Sequence, residues 1–119
     1  MILQQGEGWR IGWNPEAEEY QGLIGAETWA IELTAGELED FCRLLGQLAE
    51  TMQQMVEELV AEERIACEVE SDRLWLEGEG YPHTYSLRLI LREGRRCEGN
   101  WDAAAVGELV QAARMLKVF

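Results

Sequence analysis

The sequence predicts an α+β fold: about seven strands in antiparallel sheet or sheets, one long helix and one shorter one, ordered βββα-ββββα. Three observations carry this. Apolar residues keep helical spacing from Thr34 to Val60, short alternating runs lie on both sides of that stretch, and a second helical stripe closes the chain. All of it reads as a single domain spanning residues 1–119.

The long helix is defined first. Thr34 and Glu37 form a capping box, in which the threonine hydroxyl takes the Glu37 amide and the glutamate reaches back to Thr34. Leu38, Leu45, Met52 and Leu59 then make one row, with Phe41, Cys42, Leu48, Ala49, Met55 and Val56 beside it. Ala35 to Val60 spans about 39 Å, as long as a domain of this size is wide. Leu38, Leu45, Met52, Met55 and Leu59 are therefore expected either in the core or at a homodimer interface.

Before the helix, Trp9, Ile11 and Trp13 alternate with Arg10 and Gly12, and Asn14-Pro15 ends that strand. Tyr20 to Ile24 reads as a second strand and Thr28 to Leu33 as a third, with Trp29, Ile31 and Leu33 on one face. After the helix, Ile65, Cys67 and Val69 alternate with Glu68 and Glu70. Arg73 to Glu77 is the partner strand across Ser71-Asp72. Gly78 to His83 looks like a loop. Tyr85, Leu87, Leu89 and Leu91 give the cleanest period of two, and Glu93-Gly94 turns the chain into a strand from Arg95 to Trp101. Asp102 is placed to cap a helix whose buried stripe is Val106, Leu109, Val110, Ala113 and Leu116. Each half ends with a tryptophan-bearing strand region feeding a helix, a duplication of element order without a residue-by-residue repeat.

Composition narrows the function classes. The chain has 119 residues, 47% of them hydrophobic, enough to build a core without metal or disulfides. It has no apolar run long enough for a membrane span, and its first residues do not have the form of a secretory signal. Three cysteines at unrelated spacings (Cys42, Cys67, Cys97) fit reduced, packed thiols in a cytoplasmic protein. The net charge is −13 and sits in the first half: up to Glu63 there are 14 acids against two bases. Such a half repels phosphate backbones.

Catalytic constellations are hard to assemble from these residues. His83 is the single histidine, in a loop beside proline, and the cysteines fall on core stripes where a thiol acts as a small hydrophobe. Ser71 and Ser86 lie in no nucleophile elbow, and Gly78 with Gly80 makes no phosphate loop. No metal-ligand spacing is present. The expectation is a protein that is not an enzyme and takes no cofactor.

Binding signals are stronger. Arg88 and Arg92 share the outer face of one strand, Arg95 and Arg96 lie across the following turn, and Arg73 joins them if its strand is a neighbour. From Gly80 to Trp101 the charge is +2, so this group could hold a phosphate, an acidic peptide or single-stranded nucleic acid. Pairing of these arginines with Glu68, Glu70, Glu77 and Glu98 across the sheet is the competing account. Of five tryptophans, Trp9, Trp13, Trp29 and Trp101 are expected in the core. Trp75 faces away from Leu74 and Leu76; left exposed, it would mark an interface.

The segments WRIGWNP (from Trp9) and TWAIELTAGELEDF (from Thr28) resemble a family of small cyanobacterial proteins, domain of unknown function 1818. Members of that family are similar in fold to the single-stranded-DNA-binding transcriptional regulators, the group of the plant Whirly proteins and the positive coactivator. The resemblance implies a cytoplasmic, dimeric cyanobacterial protein and assigns no functional residue. Two expectations follow: a non-catalytic homodimeric module that binds an unidentified protein, or a nucleic-acid binder using the arginine group.

Overall fold

The computed structural model describes residues 1–58, 63–92 and 94–118. Strands β1 (Ile2–Gly6), β2 (Trp9–Trp13), β3 (Gly22–Gly25) and β4 (Ala30–Leu33) form one antiparallel meander, and helix α1 (Ala35–Glu58) follows it. Strands β5 (Ile65–Glu70), β6 (Leu74–Tyr81), β7 (Thr84–Leu91) and β8 (Glu98–Trp101) form a second meander, closed by α2 (Ala103–Met115). The described strands therefore number eight rather than seven, in the order ββββα-ββββα.

The strand missing from the sequence reading is β1. Its residues Ile2, Leu3, Gln5 and Gly6 are exposed and Gln4 is only half-buried, so no alternating burial marks it. The stretch from Gly78 to Tyr81 continues β6, and only Pro82-His83 turns, so the expected loop is a strand end and a tight hairpin. Its glycines have packing reasons. A Cβ at Gly78 would sit 2.9 Å from Cδ2 of Leu48 on α1, and Gly80 has φ of +144° with the Thr84 carbonyl close by. Conversely, Arg95 and Arg96 precede β8 instead of belonging to it, because Gly94 and Arg96 both take positive φ and break the extended run.

The capping box forms as expected: the Glu37 amide donates to Thr34 Oγ1 and the Thr34 amide to Glu37 Oε1. Asp102 occupies the cap position of α2 without a side-chain bond; its backbone carbonyl accepts from the Ala105 amide instead. On α1, Leu38, Leu45 and Met52 are fully buried, joined by Leu44, which lay outside the predicted stripe. Met55 is half-buried, Val56 is exposed, and Leu59 and Val60 lie outside the described residues. This row faces the protein's own core, each side chain contributing about 1.5–3 kcal/mol by leaving water. It is not a free dimer surface.

α1 packs on β5 and β6 of the second sheet as well as on β3 and β4 of its own, while α2 packs on β7, β2 and α1. The helices thus lie between the two meanders and hold them together. Where the sheets approach, the Trp101 indole N–H donates to the Gly25 carbonyl at 2.8 Å and the Trp29 indole N–H to the Asn100 carbonyl at 3.2 Å. The Trp29 and Trp101 rings meet edge to face at 4.8 Å, with Phe41 of α1 against Trp101. Trp9 and Trp101 are buried as expected; Trp13 and Trp29 are only half-buried.

Gly99 makes this seam possible, because a Cβ there would lie 2.4 Å from the Trp29 ring. Gly99→Ala should cost about 1–3 kcal/mol in denaturant unfolding by forcing that ring away. In a Trp29→Ala background the same change should cost far less, and equal costs in both backgrounds would contradict the steric account.

Candidate functional site

The outer face of the second sheet holds the predicted arginine group. Cross-strand register places Glu68, Glu77, Arg88 and Asn100 in one row, with Glu70, Trp75, Ile90 and Glu98 in the next. Arg88 pairs with Glu98 at 3.0 Å and its guanidinium lies over the Trp75 ring at 5.7 Å. Trp75 does face outward, but it is half-buried by these neighbours, and its indole N–H donates to Glu68. Arg92 pairs with Glu70. The arginines are thus neutralised by the sheet's own glutamates, which outnumber them, and a phosphate would have to displace those partners.

The other three arginines do not join this face. Arg73 lies just before β6, exposed, and reaches over to Asp40 on α1 at 3.3 Å, its guanidinium against Gly36. Arg95 reaches across to the first half, donating to the Glu32 carbonyl and to Glu37, and stacks on Tyr20 at 4.6 Å. It is a tie between the halves. Arg96 is exposed at positive φ before β8. Candidates that look contiguous in sequence therefore disperse: Arg73, Arg88, Arg92 and Arg95 each pair with a different acid, and Arg96 stays exposed.

His83 lines a half-open cleft of about 280 Å³ between α1, α2 and the β6–β7 hairpin, floored by Tyr85, Val106 and Val110. No cysteine or carboxylate lines that cleft among the described residues, so His83 has no thiol to activate and no acid to orient it there. All three cysteines are free and partly buried, and burial pushes the Cys42 thiol up to about 12, far from a reactive thiolate. Burial, with Glu68 adding to it, also raises Cys67. Among the described residues no group of histidine, cysteine and acid side chains could hold a metal, and no helix is long and apolar enough to cross a membrane.

Sequence reasoning missed the outer face of the first sheet. There, Leu3, Gly12, Leu23 and Tyr20 border an apolar cleft of about 260 Å³ whose polar rim includes Arg10 and Glu32. It runs beside β1, where Met1, Ile2 and Leu3 account for three of the five exposed large hydrophobics among the described residues. The other described edge strands all carry acids: Glu32 on β4, Glu68 and Glu70 on β5, Glu98 on β8. β1 carries no charge and has one unpaired edge.

Asp40 offers the clearest electrostatic test. Burial alone would raise its carboxyl, but the Ser71 hydroxyl at 2.6 Å and the Arg73 and Arg43 guanidiniums outweigh that and hold it below the usual range. A lowered folded-state value stabilises the protein above the unfolded-state value, about 4, and that contribution is lost as pH falls through the folded one. Asp40→Asn should therefore cost about 1–3 kcal/mol in urea unfolding at pH 7, with the gap from wild type narrowing below about pH 4. A gap unchanged between pH 7 and pH 3 would contradict it.

Comparison with known proteins agrees with the fold and leaves the role open. A search of curated proteins finds no match. A crystal structure described as a protein of unknown function from the DUF155 family of Prochlorococcus sp. NATL2A is similar at TM-score 0.90 and 31% identity, covering 96% of this chain and 97% of that one. The model for domain of unknown function DUF1818 matches residues 4–116. With nearly the whole length matched, the chain belongs to the DUF1818 family.

Proposed function

We propose that the protein is a non-catalytic, cytoplasmic interaction module that assembles as a homodimer through the free edge of β1. The observation that carries the reading is that β1 alone among the described edge strands is uncharged, while it also exposes Ile2 and Leu3. Sheet edges are normally protected by charge, proline or cover, and an edge without them is a template for another strand. In a chain of net charge −13, two copies repel least where charges are missing. The segment Ile2–Gly6 also suits antiparallel pairing with itself about Gln4, setting Ile2 of one copy opposite Gly6 of the other in an isologous contact.

This surface replaces the face of α1 as the dimer candidate, since the leucine row is spent in the core. The apolar cleft beside β1 would lie along the joined sheet, available to an unidentified protein partner. Three free thiols support the reducing location included in the reading. The regulator-like alternative, single-stranded nucleic acid bound on the arginine face, is not favoured, because Arg88 and Arg92 already have carboxylate partners.

Light scattering on the eluting protein at tens of micromolar should give a mass near twice the 13.6 kDa chain. The double variant Ile2→Lys, Leu3→Lys should elute as a folded monomer, because it sets like charges along the new edge. A monomeric wild type, or a variant that stays dimeric, would contradict the assignment.

A further inference from the structure

We infer that the cleft between α1, α2 and the β6–β7 hairpin binds a small organic anion, a carboxylate or phosphate head carried on a short apolar or aromatic body. The cleft is layered in the way such a ligand requires. Its floor is the buried apolar set Val106, Val110 and Tyr85, and its rim carries the guanidinium of Arg114, the imidazole of His83 and the amide of Gln111. At about 280 Å³ it falls just under the roughly 300–1,000 Å³ of drug-sized sites, so the ligand is small.

Charge selects the head group. Acids make up 23 of the 119 residues, yet none lines this cleft among the described residues. Six described arginines have a carboxylate within 4.0 Å; Arg114 is not one of them. Its guanidinium keeps the planar fork that grips carboxylate or phosphate through two parallel bonds. The Tyr85 phenol, raised by burial, is pulled back by Arg114, consistent with the guanidinium lying over the cleft floor. The acid-rich surface elsewhere is screened over about 8 Å at physiological salt, so the Arg114 guanidinium dominates within the cleft. Gly107 adds room: it lines the cleft, and a Cβ there would meet nothing within 4 Å.

The test is an amide-resolved NMR titration of the full chain with phenyl phosphate and with benzoate, using inorganic phosphate and benzyl alcohol as the separated halves. Saturable shifts centred on His83, Thr84, Gly107 and Gln111 are expected for at least one aromatic anion, at least about tenfold tighter than for either half. Arg114→Gln should weaken that binding at least about tenfold, the loss of a charge-assisted bond. Gly107→Leu should abolish it by filling the cleft, without lowering the melting temperature, since leucine is the better helix former. The inference is overturned if neither aromatic anion saturates by several millimolar, if inorganic phosphate or benzyl alcohol binds as tightly, or if Arg114→Gln binds like wild type.

Discussion

The fold depends on the seam where the two tryptophans Trp29 and Trp101 interlock. Each indole N–H donates to a backbone carbonyl of the opposite half, Trp101 to Gly25 and Trp29 to Asn100, and the rings meet against Phe41 of α1. Trp101 is 1% exposed, so its N–H would be an unsatisfied buried donor if the halves drew apart. Arg95 fastens the same junction from outside by bonding the Glu32 carbonyl and Glu37. Because Glu37 also closes the capping box with Thr34, one carboxylate links the start of α1 to the second half of the chain.

The surfaces follow from that arrangement. Once α1 and α2 fill the space between the meanders, both helices turn their apolar faces inside, and the outer sheet faces, the open edges and the cleft at the β6–β7 hairpin are left for recognition. The second sheet covers its outer face with ion pairs and a tryptophan enclosed by them. The first does not: its outer face is indented over Gly12, apolar at Leu3 and Leu23, and bounded by an edge strand without charge. Two repeats of one architecture have thus been given different exteriors.

Much of the interior was legible in the sequence, for a physical reason. Where one face of an element is buried, its period is written into the residues, as in Tyr85 to Leu91, where inward and outward positions alternate without a break. The Thr34–Glu37 box and the cross-strand pairing of Arg88 with Glu98 were readable because they depend on neighbours at fixed spacing or register. What failed lacks such a code. β1 has no buried face, and Gly78 and Gly80 signal a loop unless one knows that Leu48 and the Tyr85 backbone press on them. The destinations of Arg73 and Arg95, Asp40 and Glu37, lie more than thirty residues away, and only the assembled fold brings them together. The Arg114 cleft was invisible for the same reason, being made by three elements that lie far apart in the chain.

The seam makes a direct claim: the two ββββα halves open as one unit although each has its own sheet. Native-state hydrogen exchange tests it most directly, by comparing the amides of the central strands β3 and β7 under increasing denaturant. The account predicts that Ile24 and Leu89, both fully buried, converge on the same global opening free energy. It is contradicted if Ile24 exchanges through a cheaper opening that leaves Leu89 protected, or the reverse, for then the tryptophan seam would not couple the halves.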